Sequence, residues 1–397
     1  MAVTFQTGTR MMANVATKKP DLSTLVALVD AAQYPLYAIL SGKGKDPITK
    51  MGLSLGKKAA TNVKIEWFGD EYTPYRDTVA TLYTNSATGV VVDHGAYFMR
   101  GDIVLNETRG DLFRVESVSS NTLTVKRGIG GISGVQGEVG DYLRIVGSAF
   151  GEGSAKGDAI SVKCDKMFNY QQIFKTLVSA SGDNLRSADY TENDIIRQEK
   201  KKAIEHAIKI ESALWFGQKG TSTESATEGG KIVRTMEGVI GFISTYVASG
   251  YGTTLSETEW NAFLSDYAFK KGPKVKYMFA GTGVLAAVNT FARNQLRSVP
   301  SEKTWGIALS EYISPYGKMF LVHEPLFDGS VYKGYGVVLS PKDLLLRPMK
   351  DTEYQRNIQT PGDDKLDNQF FTELSLQLDN EPHFAAITGV TSGYAAS

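Results

Sequence analysis

Among 397 residues there is one cysteine, Cys164, so no disulfide can form within the chain. That fits a reducing compartment. Long apolar runs are also missing: no stretch approaches the roughly 20 residues that a membrane helix needs. The first residues, MAVTFQTGTRMM, lack the apolar centre of a secretory signal. Neither sign of charge is in excess, with 43 Lys and Arg against 43 Asp and Glu. That excludes a polycation that coats nucleic acid by bulk charge. Proline is scarce at 12 residues while glycine reaches 40, which favours turns and hairpins over a low-complexity chain. With 42% hydrophobic residues, the expectation is a soluble, intracellular product of two or three domains with an ordinary core.

Catalytic patterns are lacking too. The stretch GLSLGKK (Gly52–Lys58) is one residue short of a phosphate-binding loop and has no Ser or Thr to hold Mg²⁺. GIGGISG (Gly128–Gly134) does not complete a dinucleotide fingerprint. His323-Glu324 starts like a zinc-binding helix, but Pro325 breaks it and Phe327 stands where a second His is needed. His94 reads as a turn residue, His206 as a solvated helix residue and Cys164 as a small buried hydrophobe. Adjacent Asp363 and Asp364 would point to opposite faces of a strand. The sequence therefore gives no catalytic residue, no metal ligand and no cofactor site.

What is present is a long helical pattern from Thr191 to Phe216. Thr191 is the expected N-cap, with Asp194 three residues on. Ile196, Ala203, Ile204, Ala207, Ile208, Leu214 and Trp215 fall on one stripe. Arg197, Lys200, Lys201, Glu205 and Lys209 fall on the other face, with Glu205 spaced to pair with Lys209. Gly217 is the expected stop. Such a helix is a rod of roughly 40 Å.

Residues 1 to about 60 read as an arm, with a short helix expected from Asp21 and ending before Pro35. Residues 1–65 carry nine Lys or Arg against three Asp, so this region is locally basic. Residues 62–83 read as strand, turn, strand, and residues 88–146 as short strands of a small β-barrel or sandwich. Residues 158–180 are again extended. From 231 to 330 helix and strand alternate, with helices expected at Met236–Val247, Glu257–Phe269 (capped by Ser256) and Val284–Leu296. Strands are expected at Val275–Ala280, Gly306–Ile313, Met319–Val322 and Phe370–Leu378. The class is α+β. An arm, an insertion and no active site point to an assembly protein, because projecting parts bury little within their own chain.

The order of these parts resembles the major capsid proteins of tailed bacteriophages with the Hong Kong 97-type fold. DAAQYPLYAIL (Asp30–Leu40) is similar to the family's N-terminal arm, EWFGDE (Glu66–Glu71) to the start of its extended loop, and FNYQQIF (Phe168–Phe174) to the returning strand. Thr191–Trp215 takes the place of the spine helix, and NQLRSVPSEKTWGIALSEYISPYGKMFLVHEPLF lies where the axial domain is expected. The resemblance implies an arm at 1–60, extended loop and peripheral strands at 61–87 and 147–180, and an inserted β-domain at 88–146. It further implies a spine helix and following loop at 181–230, an axial domain at 231–334 and a return to the peripheral sheet at 335–397. It makes Trp67, Asp70, Ile204, Ile208 and Trp215 packing or assembly residues. The basic residues it turns toward a genome are Lys43, Lys45, Lys57, Lys58, Lys200, Lys201 and Lys202.

The function it implies is a structural shell protein, closing as hexamers and pentamers into an icosahedral head around double-stranded DNA. The partner is the chain itself, with portal, scaffold or decoration proteins as further partners, DNA held without sequence reading, and no membrane. The location is the virion, after assembly in the host cytoplasm. Two departures stand out: no coiled-coil segment precedes the arm, so a separate scaffold or none is expected, and residues 88–146 exceed a plain extended loop. The alternatives are a bacterial nanocompartment shell, a tail or baseplate protein, and an unrecognised hydrolase.

Overall fold

The computed structural model describes residues 34–41, 56–70, 72–131, 133–154, 157, 164–183, 194–225, 229–249, 255–291, 296–298, 309–329 and 331–390. In chain order the elements open with Pro35–Ser41 (α1), Lys64–Gly69 (β1), Arg76–Thr78 (β2), Gly89–Val91 (β3), Asp102–Asn106 (β4) and Leu112–Ser119 (β5). Thr122–Lys126 (β6), Tyr142–Ser148 (β7), Asp165–Tyr170 (β8), Gln172–Ser181 (β9) and the long helix Asp194–Phe216 (α2) follow. Next come Gly220–Thr223 (β10), Ile232–Thr235 (β11), Val239–Phe242 (α3), Val247–Ala248 (β12), Glu257–Phe263 (α4), Val275–Ala280 (β13) and Thr282–Phe291 (α5). The chain closes with Leu296–Ser298 (β14), Leu309–Ile313 (β15), Lys318–His323 (β16), Gly336–Leu339 (β17), Leu344–Gln355 (β18), Lys365–Leu378 (β19) and Ala385–Ile387 (β20). These fall into two compact units, one of Phe68–Lys166 and one of the remainder.

The Phe68–Lys166 unit is a β-barrel. Its six strands run in the order β2-β7-β4-β5-β6-β3. The two end strands meet: Val79 bridges Val92, and the Ala80 N–H donates to the Val91 carbonyl at 2.9 Å. Closure removes the free edges that an open sheet of this length would expose. Alternation fills the inside, where Val90, Val104, Phe113, Val115, Leu123 and Leu143 are buried. A buried polar network sits beside them. Asp111 accepts from the Tyr83 hydroxyl at 3.1 Å, from Arg127 Nη1 at 2.5 Å and from the Val135 N–H at 3.2 Å. Arg127 also lies over the Tyr83 ring at 4.6 Å. The barrel is wider than residues 88–146: β2 and the last residues of β7 belong to its sheet.

The other unit is built on two sheets. Seven strands form the larger one, in the order β12-β20-β17-β13-β16-β15-β14. β13 is buried on both faces after its first residue. Tyr277 and Phe279 join one core, Met278 and Ala280 the other, as the period of two requires. The second core is completed by Trp260, Phe263 and Leu264 at α4 and by Val284 and Val288 of α5. Ser256 forms a full capping box with Glu259 at the start of α4. This sheet takes in β17 and β20, which a boundary at 334 had assigned to the peripheral region.

The smaller sheet has the order β18-β19-β9, antiparallel throughout. Residues 56–60 extend it beside β18: Lys57 bridges Leu346, and the Lys58 N–H donates to the Leu346 carbonyl at 3.0 Å. The long helix packs on this sheet and on the first core of the larger one. Its buried residues are His206, Ile210, Glu211, Leu214 and Trp215. Ile204 and Ile208 are only half-buried and Ile196 is exposed. The packed line is therefore rotated from the expected stripe, because a face chosen by counting apolar residues omits a histidine and a glutamate that are buried through hydrogen bonds.

Other expectations shift for identifiable reasons. Glu205 pairs with Lys202 at 2.6 Å rather than with Lys209. α1 begins at Pro35, a first-turn position where a missing N–H does no harm. The Met236–Val247 helix shrinks to the single turn of α3. There Gly238 passes against the end of α2, and a Cβ on it would lie 2.7 Å from Trp215 backbone atoms. Cys164 is exposed. Thr191 and the Asp21 helix lie outside the described residues.

Candidate functional site

A cluster of buried polar groups in the larger unit lies where α1, α2 and the end of β16 meet. α1 is amphipathic over two turns, and Leu36 and Leu40, four residues apart, are almost fully buried. The first N–H groups of any helix lack intrahelical acceptors. Here Glu211 of α2 supplies them. The Leu36 N–H donates to Glu211 Oε1 at 2.8 Å and the Tyr37 N–H to Oε2 at 2.5 Å. A carboxylate from one helix thus caps another.

Glu324, just after β16, brings a second carboxyl beside Glu211, and the two share a donor. The Trp215 indole N–H, one turn along α2, donates to Glu324 Oε2 at 3.1 Å and to Glu211 Oε1 at 3.3 Å. The Leu326 N–H donates to Glu324 Oε1 at 3.3 Å. Both carboxyl groups are fully buried. Burial pushes both well above the usual carboxylate range, and for Glu324 the neighbouring Glu211 adds to the shift. Two carboxyls in contact cannot both ionise in an apolar surround, so the pair keeps a proton.

One and a half turns earlier, the His206 ring bridges the two strands beneath it. Nδ1 lies 2.9 Å from Thr176 Oγ1 on β9 and Nε2 lies 2.8 Å from Thr372 Oγ1 on β19. Thr372 is 2.9 Å from Thr352 Oγ1, which is 3.1 Å from the Tyr37 hydroxyl. The chain of hydroxyls therefore ends on the arm helix as well. Burial, with the Lys209 charge nearby, pulls the His206 imidazole down to about 4. An unfolded chain takes up this proton near 6.5 and the folded one only near 4. The stability held by neutral His206 is present above the first value and lost as pH falls through the second. Unfolding measured against pH should lose up to about 1.4 kcal/mol per pH unit over that window. His206→Gln should flatten that part of the profile, and an unchanged acid limb would refute the assignment.

Trp67 and Trp215 are both buried. Trp67 Nε1 donates to the Leu378 carbonyl at 3.0 Å, and its ring lies 5.9 Å from Phe242. Trp215 sits against Phe279 and Phe327, at 5.3 and 4.9 Å between ring centroids. Asp70 is exposed. Lys57 pairs with Asp351 and Lys202 with Glu205, while Lys58, Lys200 and Lys201 are exposed. Lys43 and Lys45 lie outside the described residues. Sequence reasoning missed Glu211, Glu324 and His206. The available signal was spacing: His206, Ile210 and Leu214 recur every four residues, as do Glu211 and Trp215, so the glutamate lies on the face that Trp215 buries.

A family model described as SU10 major capsid protein matches residues 2–391. The chain is similar to a curated major capsid protein of Pseudomonas phage PaMx41, at 23% identity over 385 residues, covering 87% of this chain and 89% of the relative. Among solved structures it is similar to the capsid of a native GTA particle, at 9% identity and a TM-score of 0.47, covering 96% of this chain and 97% of the other. It is also similar to the capsid asymmetric unit of cyanophage A-1(L), at 10% identity and a TM-score of 0.47, covering 95% and 98%.

Proposed function

Since the chain belongs to the SU10 major capsid protein family, and is thereby a structural shell protein of a phage rather than an enzyme, we propose that it closes as hexamers and pentamers into an icosahedral head around double-stranded DNA. The observation that carries this is the family match across nearly the whole chain. In this reading the fold is of the Hong Kong 97 type. The long helix is the spine, the β18-β19-β9 sheet is peripheral, the seven-stranded sheet is axial, and the barrel is an insertion in the extended loop. Heterologous contacts between copies supply the closure.

The hairpin β10–β11 supports contact between copies. Among the described residues its two strands pair only with each other, and Ile232 and Val233, on opposite sides, are both exposed. An isolated two-stranded ribbon is marginal in water, so a neighbour that covers it explains its persistence. Lys58, Lys200 and Lys201 are the basic side chains proposed to face the genome.

Electron microscopy of the overexpressed protein tests the reading. Closed shells, tubes or sheets are expected, and a monodisperse monomer at high concentration would overturn it. Lys200→Glu with Lys201→Glu should leave the chain folded, because both are exposed, and should lower the DNA content of particles. Particles that enclose an enzyme instead of nucleic acid would move the reading to a nanocompartment shell.

A further inference from the structure

We propose that one proton shared between Glu211 and Glu324 latches the arm helix α1 onto the long helix, so that docking of α1 is linked to pH. The latch holds in acid and opens as the pH rises toward the alkaline range.

The geometry carries this. The two carboxyls are fully buried and accept from the same Trp215 indole N–H, and two negative charges so close in an apolar surround require a proton on one of them. The groups that face them come from every element packed there. α1 contributes two backbone N–H groups, α2 the Trp215 indole, and the turn after β16 the Leu326 N–H. The Phe279 and Phe327 rings close the apolar side against Trp215. The neighbouring titratable side chains are bonded elsewhere. Tyr37 directs its hydroxyl to Thr352, His206 lies between Thr176 and Thr372, and His323 bonds to Asp328 at 2.8 Å. Lys202 pairs with Glu205. Among the described residues no ion pair reaches either carboxyl, so nothing offsets a second negative charge.

The sign follows from what α1 covers. Docked, Leu36 and Leu40 seal the site and both carboxyls are held above their ordinary range by burial. With α1 lifted away, water reaches Glu211, the repulsion between the carboxyls is screened, and the pair returns toward ordinary values and releases its proton. The docked state therefore holds more protons than the undocked one from the ordinary carboxylate range up to the pH at which the docked pair itself ionises. Raising the pH pulls the equilibrium toward release, by about tenfold per pH unit for each proton that differs.

Amide hydrogen exchange across residues 35–41 of the full chain, corrected for the intrinsic rate, reads this directly. Between about pH 6 and about pH 9 the protection of Leu36 and Tyr37 should fall by about tenfold per pH unit. Glu324→Gln keeps a hydrogen-bonding amide where the protonated acid stood but cannot titrate, so protection should become independent of pH. His206→Gln should keep the wild-type slope, which separates this latch from the histidine below it. Flat protection in the wild type overturns the proposal, whether or not the variants fold. So does an unchanged slope in a folded Glu324→Gln chain.

Discussion

Trp215→Ala should destabilise the larger unit by about 3–5 kcal/mol. The indole is fully buried, lies against Phe279 and Phe327, and belongs to the core that the long helix shares with both sheets. Truncation opens a cavity among rings and strands that are hydrogen-bonded in place and cannot collapse to fill it. It also removes the donor shared by Glu211 and Glu324, a loss of about 1–3 kcal/mol for a buried acceptor left short. Trp215→Phe separates the two effects, since it keeps most of the ring volume and loses only the N–H, and it should show the smaller figure. Trp67, Trp215 and Trp260 lie in this unit, and residues 68–166 contain no tryptophan. Denaturant unfolding followed by tryptophan fluorescence therefore reports the larger unit, with Trp67 and Trp260 among the probes that remain in the variant. A shift below about 1 kcal/mol would contradict a close-packed site.

Asp111→Ala should damage the barrel by a similar amount for a different reason. Asp111 is fully buried and the Arg127 side chain is nine-tenths buried. Removing the carboxylate strands a guanidinium between Tyr83 and Phe113, whose rings lie 4.6 and 5.5 Å from it. Breaking a buried pair from one side costs about 3–5 kcal/mol, whereas replacing both partners by apolar groups is often close to neutral. Asp111→Leu combined with Arg127→Met should then be less harmful than Asp111→Ala alone. Tyrosine near-ultraviolet dichroism or protection of residues 112–126 from hydrogen exchange measures both variants. The reverse order would mean that the polar network holds the barrel by geometry and not by charge balance.

Much of the strand content was legible because alternation survives in short windows. The β-rich texture of residues 88–146, the buried strand Val275–Ala280 and the long closing strand all come from period-two patterns. Ser256 was legible as a cap because capping is decided within four residues. The arm dock was not legible. Glu211, Glu324 and His206 are buried by partners as far as 175 residues away in sequence, and a rule that assigns charged residues to the solvent face excludes them in advance. The same rule turned the packed line of the long helix toward Ile204 and Ile208. The Met236–Val247 helix was over-extended because the close approach of Gly238 to the end of the long helix is a tertiary fact.

The pairing of β9 with β19 joins residue 172 to residue 374 and residue 181 to residue 365. On a ribosome making roughly 5–20 residues per second, the first of these strands waits roughly 10–40 s for its partner. The barrel, by contrast, draws every strand from a continuous stretch of about 100 residues that emerges before β9 is complete. It can reach its native pairing while the sheet under the long helix is still half-made. Until residue 378 is out, Phe174 and Val178 have no covering strand on their β19 side, and the surface that the long helix needs does not exist. The larger unit cannot finish folding before β19 has emerged, which delays any contact that depends on it.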